Sequence, residues 1–269
     1  MALRMICGFI LFFSGLAVSQ QGSQPLIVGV NAWPPWIIQK PTGDWHGIAI
    51  DTLRLIATCS EIPMQIRDLP NAKRMRQEWG TKINAEAAVS PSWRQDQKQS
   101  SVYTESIFST QDIILARKGT LSLGRSPSDF YGQTLGIIRG YFYPEGFSDA
   151  ISENKIAVSE SSPDTLLPKL LRGRVKGIFI NRDEASYLFN TIVLNPADEF
   201  HPVYLFKEVQ LHIRLHKSKQ DLLPRLNQAI SQLKASGIIH NIKRYYTSQS
   251  KQQSYLELSK CPITLDSRA

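Results

Sequence analysis

The stretch Leu26-Ile27-Val28-Gly29-Val30-Asn31-Ala32-Trp33-Pro34-Pro35-Trp36 joins two kinds of backbone that cannot continue one another. Its first five residues are apolar and rich in β-branching, the pattern of a buried strand. Pro34 and Pro35 then exclude both a central ladder and a regular helix, so the chain leaves the strand in a fixed loop between two tryptophans. Downstream, Pro41-Thr42-Gly43-Asp44 marks a turn, and Ile48, Thr52, Leu55, Ile56 and Cys59 recur at helical spacing. Met64 to Arg67 alternates as a strand. Asn71 is placed to cap a helix that Gly80 ends, and Ala87-Ala88-Val89 forms a short strand before a polar stretch over 90–101. Further strands are expected at 113–116, 135–138, 177–180 and 211–217, and helices at 162–171, 184–189, 222–234 and 238–246. On the last strand Leu211, Ile213 and Leu215 face one way, and His212, Arg214 and His216 form a polar face on the other. This alternation of strands and helices predicts an α/β fold with mostly parallel pairing.

The 269 residues suffice for two modest domains, and 42% hydrophobic with 20% charged residues is ordinary for a globular protein. Only the N-terminus departs from this. Arg4, an apolar run from Ile6 to Phe13, and small residues through Ala17-Val18-Ser19 have the form of a cleaved signal peptide over 1–19. A membrane anchor is the alternative, but the run is shorter than the roughly 20 residues a spanning helix needs. Removing 1–19 takes away Arg4 and lowers the formal net charge from +8 to +7. The remaining cations are scattered, which points to a solvated basic surface and, with export, argues against nucleic acid. Export would leave Cys59 and Cys261 in an oxidising compartment. Either they form one disulfide that ties the C-terminal tail to the first half, or they are two free thiols; the compartment favours the bond. No G-x-S-x-G, P-loop, G-x-G-x-x-G, C-x-x-C or H-E-x-x-H is present. His212 and His216, four residues apart on a strand, would lie about 13 Å apart, too far for one metal.

Six segments in order resemble the bacterial extracellular solute-binding proteins of amino-acid-transport type, which have the type II periplasmic-binding-protein fold. They are residues 26–36; Gly47-Ile48-Ala49-Ile50-Asp51-Thr52-Leu53; Tyr103-Thr104-Glu105-Ser106 with 113–118; 131–140; Gly173-Arg174-Val175-Lys176-Gly177-Ile178; and 226–245. The resemblance implies two α/β lobes, the first from 20–116 plus 206–269 and the second, 117–205, inserted into it. The ligand would lie in the cleft at the hinge, outside the carboxyl ends of the strands, and closure would bury it. It further implies a monomeric, cofactor-free and metal-free periplasmic protein that captures a small polar solute, an amino acid or related organic ion, for an ABC-type membrane transporter. The alternatives are a sensor subunit that signals to a membrane receptor, and a dehydratase-like enzyme on the same fold using Glu145, Asp183 or Glu184 as general acid.

The resemblance also nominates ligand contacts. Trp33 matches the position where family members stack an aromatic on the ligand, with Trp36 beside it as a contact or a packing residue. Ser90 and Ser92 are polar candidates. Gln97 stands where the family carries the arginine that clamps a carboxylate; Arg94 is three residues early and either reaches the cleft or is a surface cation. Arg139-Gly140-Tyr141 could offer backbone N–H groups to an anion, although Tyr141 replaces a small hydroxyl residue. Asn181 stands where amino-acid binders hold the ligand ammonium with aspartate. Both charged clamps for a free α-amino acid are thus altered, and an anionic or neutral solute fits as well.

Overall fold

The structure, a computed structural model, describes residues 24–138, 141, 143–144, 146–192, 199–247 and 261. The expected signal peptide over 1–19 lies outside these residues, as do Arg139, Gly140 and Glu145.

One sheet draws strands from both ends of the chain. It contains β1 (Leu26–Val30), β4 (Met64–Asp68), β5 (Ala85–Val89), β6 (Ser101–Tyr103), β7 (Phe108–Thr110) and β13 (Val209–His216), with β2 (Ile38–Gln39) and β3 (Trp45–His46) pairing as a separate ribbon. Along it the order is β4-β1-β5-β13-β6, and β7 pairs with the start of β13. The second sheet contains β8 (Asp112–Arg117), β9 (Thr134–Ile138), β10 (Ala157–Ser161), β11 (Gly177–Asn181) and β12 (Phe200–Leu205), in the order β10-β9-β11-β8-β12. Helices α1 (Ile48–Ser60), α2 (Ala72–Glu78), α6 (Leu223–Ala235) and α7 (Ile238–Thr247) accompany the first sheet; α3 (Phe147–Ser152), α4 (Pro163–Leu171) and α5 (Arg182–Ile192) accompany the second.

Pairing is mixed rather than mostly parallel. Each sheet has a parallel centre, β4-β1-β5 and β10-β9-β11, but β8, β12 and β13 pair antiparallel. The reason lies in the connections: the strands that carry the chain between sheets run back against the parallel centres. Only Gln111 separates β7 from β8, and Phe206–Glu208 separate β12 from β13. These two crossovers lie side by side. Gln111 Nε2 donates to Phe206 O at 2.7 Å, and Phe206 N donates to Asp112 O at 3.0 Å. The expected division between 116 and 117 runs through β8, which pairs within the second sheet; we propose a lobe boundary at the crossovers instead.

Helix α1 explains the position of the tryptophan loop. Its first N–H groups are satisfied by that loop: Ile48 N donates to Pro35 O at 3.0 Å and Ala49 N to Trp36 O at 2.9 Å. This close approach requires Gly47, whose φ is +116°; a Cβ there would lie 2.6 Å from Trp36 O. Beyond the expected apolar stripe, Ala49, Ile50, Asp51 and Leu53 are buried as well, because α6 and α7 also pack on α1. Cys59 near the end of α1 is bonded to Cys261, with Cα atoms 5.0 Å apart.

Candidate ligand-binding cleft

A cavity of about 210 Å³ opens between the two sheets. From the first come Val30 at the end of β1, Asn31 and Trp33 beyond it, Ala87–Val89 at the end of β5, and Trp93 and Arg94 just after that strand. From the second come Asp112, Ile138, Tyr141, Tyr143, Phe179, Asn181 and Glu184. Val30, Val89, Ile138 and Asn181 are strand C-termini, where an open α/β sheet leaves a crevice. Ala88 holds a left-handed φ of 52°, a conformation that non-glycine residues seldom adopt and that clusters at functional sites.

Trp33 lines the cavity and Trp36 does not. Trp36 is fully buried, stacked behind Trp33 at 5.4 Å between centroids and edge-on to Phe108 at 5.2 Å. Its indole N–H points to Asn181 Oδ1 at 3.4 Å. Trp93, absent from the sequence-derived candidates, meets Trp33 edge-on at 5.9 Å and completes the aromatic wall. The Ser90 and Ser92 hydroxyls are 3.0 Å apart, bonded to each other, and neither residue lines the cavity.

Arg94 reaches the cavity, but its guanidinium is engaged. Nε and Nη2 donate to both oxygens of Glu86 at 2.9–3.3 Å, and Nη1 donates to Trp93 O at 3.1 Å. Glu86, 1% exposed, also pairs with Arg214, itself 1% exposed. The expected polar face of β13 is therefore interior at Arg214, which lies 3.6 Å from the Trp79 ring centre. Gln97 accepts from Arg214 Nη2 at 2.9 Å and donates to Arg76 O at 3.1 Å. It braces this network and does not line the cavity.

On the opposite wall Asn181 organises the polar groups. Its Nδ2 donates to Asp112 Oδ1 and to Thr110 Oγ1, both at 2.9 Å, and its Oδ1 accepts from Asp183 N at 3.1 Å. Asp183 is paired with Lys243 of α7 at 3.1 Å and accepts from Thr110 at 3.0 Å, so it belongs to the hinge. Glu184, one residue on, is 4% exposed and lines the cavity. Its carboxyl is pushed up to about 8, first by desolvation and then by the charge of Asp112, against a hydrogen bond from Trp33. Burial likewise raises Asp112, against the Asn181 bond. Tyr141 lines the cavity and is half exposed overall, yet its hydroxyl is pushed up to about 12 by desolvation and by Glu184 and Asp112.

No functionally curated protein matches the sequence. Solved structures do resemble the fold. An ancestral arginine-binding protein bound to arginine superposes with a TM-score of 0.67 at 18% identity, over 83% of this chain and 98% of that one. The ligand-binding core of GluR0 from Nostoc punctiforme, in complex with L-glutamate, gives 0.66 at 19%, over 82% and 99%. The second substrate-binding domain of Lactococcus lactis GlnP, in an open conformation, gives 0.59 at 17%, over 86% and 96%. At these identities the likeness establishes the two-lobed fold. The sequence model that matches residues 26–249, nearly the whole described region, establishes the family: this chain belongs to the bacterial extracellular solute-binding proteins, family 3.

Proposed function

We propose that the protein is exported, binds one small polar organic solute in the cleft, and presents its closed form to an ABC-type membrane transporter as a monomer. The observation that carries this reading is one cavity lined from both sheets, beside two hydrogen-bonded crossovers about which the lobes could close. The cavity is smaller than the roughly 300–1,000 Å³ sites of drug-sized ligands, which suits a small solute. The contacts in this reading are Trp33, Trp93, Tyr141, Asn181, Asp112 and Glu184, with Arg94 also in the lining. No covalent step is part of it. Neighbours bound to arginine and L-glutamate make amino acids and related organic ions the first classes to test.

The test is a thermal-shift screen of the protein lacking residues 1–19 against amino acids, short peptides, amines, organic acids and sugars. A ligand of the folded state raises the midpoint by mass action. A clear shift confined to one chemical class supports the reading, and no shift across the panel contradicts it.

A further inference from the structure

Asp112 and Glu184 enter the cavity from different elements of the second lobe, the start of β8 and the first turn of α5. Asn181 donates to one Asp112 oxygen and Trp33 to Glu184, both uncharged donors. Among the described residues no cation lies within ion-pair distance of either carboxylate. Among the described residues, the two cations that line the cavity already have acids of their own: Arg94 has Glu86, and Arg76 has Asp96 at 3.2 Å. Trp33, Trp93 and Tyr141 line the same cavity as the two carboxylates, and aromatic faces attract cations.

Two desolvated carboxylates facing one space repel each other and must be protonated or met by positive charge. A ligand ammonium or guanidinium supplies that charge. A ligand carboxylate in the same space would meet two acids, and the described arginines that line it are already paired, Arg94 with Glu86 and Arg76 with Asp96. We propose that the cleft takes a small organic cation lacking a carboxylate (an amine, amidine or guanidine), with its charged nitrogen between Asp112 and Glu184. This proposal rests on the solute-binding reading above.

Matched probes separate the two. Agmatine and putrescine are arginine and ornithine without the carboxylate, and succinate is a carboxylate without the amine. Calorimetric titration is expected to show agmatine or putrescine binding at least about tenfold tighter than its amino-acid counterpart. Glu184→Gln and Asp112→Asn should each weaken that binding by at least about tenfold while unfolding cooperatively. Tighter or equal binding of arginine or ornithine, or full affinity in both variants, overturns the proposal. Binding of succinate or another screened solute without binding of either cation also overturns it, and leaves the solute-binding reading intact. Silence from these probes and from the wider panel overturns both.

Discussion

Glu86 holds two arginines in a place almost closed to water. Glu86→Gln would leave the Arg214 guanidinium without its countercharge, and breaking a buried pair from one side costs about 3–5 kcal/mol. Urea unfolding should show that loss; a change under about 1 kcal/mol would mean that the network is solvated and of little consequence. Glu184 makes a separate prediction. Its folded pKa of about 8 stands above its ordinary value of 4.5, so the folded protein holds this proton more tightly than the unfolded chain does. The resulting stabilisation is full below about pH 4.5 and is lost as pH rises through 8. Asp112, whose carboxyl is also raised by burial and whose charge acts on Glu184, shares the effect, whereas the Tyr141 and Tyr143 hydroxyls, held above their ordinary value of 10, stay protonated throughout this range. Glu184→Gln should flatten the decline in ligand-free stability between pH 5 and 8 relative to wild type; parallel curves would contradict the assignment. Trp33, Arg94, Tyr141 and Asn181, named from segments that resemble a family, do line the cavity. Glu86 and Asp112 were not legible in sequence, because a single acid on a short strand carries no spacing signal and Arg214, one of the two Glu86 partners, lies 128 residues away.

At the scale of the element, the strongly periodic pieces were legible. β1, α1, β11, α6 and α7 lie within a few residues of expectation, because each buries a continuous apolar face. The missed strands lack such a face. β10 is Ala-Val-Ser-Glu-Ser on a sheet edge, and β12 carries Pro202 beside a register shift, also on an edge, where proline is tolerated. The Cys59–Cys261 bond joins α1 to a point 202 residues downstream. Replacing both cysteines by serine should lower stability by about 2–4 kcal/mol, chiefly by freeing the unfolded chain. The mature protein should release no thiol to a thiol reagent under denaturing, non-reducing conditions; two equivalents would contradict the bond.

The two-lobed architecture was legible in the order of segments, whereas the cleft's chemistry was not. Which charges face the cavity depends on side-chain pairings that sequence does not show: Arg94 turns to Glu86, Asp183 turns to Lys243, and Asp112 and Glu184 both line the cavity. The same geometry accounts for the altered amino-acid clamps, since Gln97 and Asn181 organise neighbouring protein groups. The central claim is that solute binds against the aromatic wall between the lobes. Its most direct test is calorimetric titration of wild type and Trp33→Ala, side by side, with the solute that gives the largest thermal shift. The account predicts one site in the wild type and affinity weakened at least about tenfold in the variant, which loses some stability with the packing of Trp33 but still unfolds cooperatively well above the titration temperature. Equal affinity in the two proteins would place the ligand elsewhere.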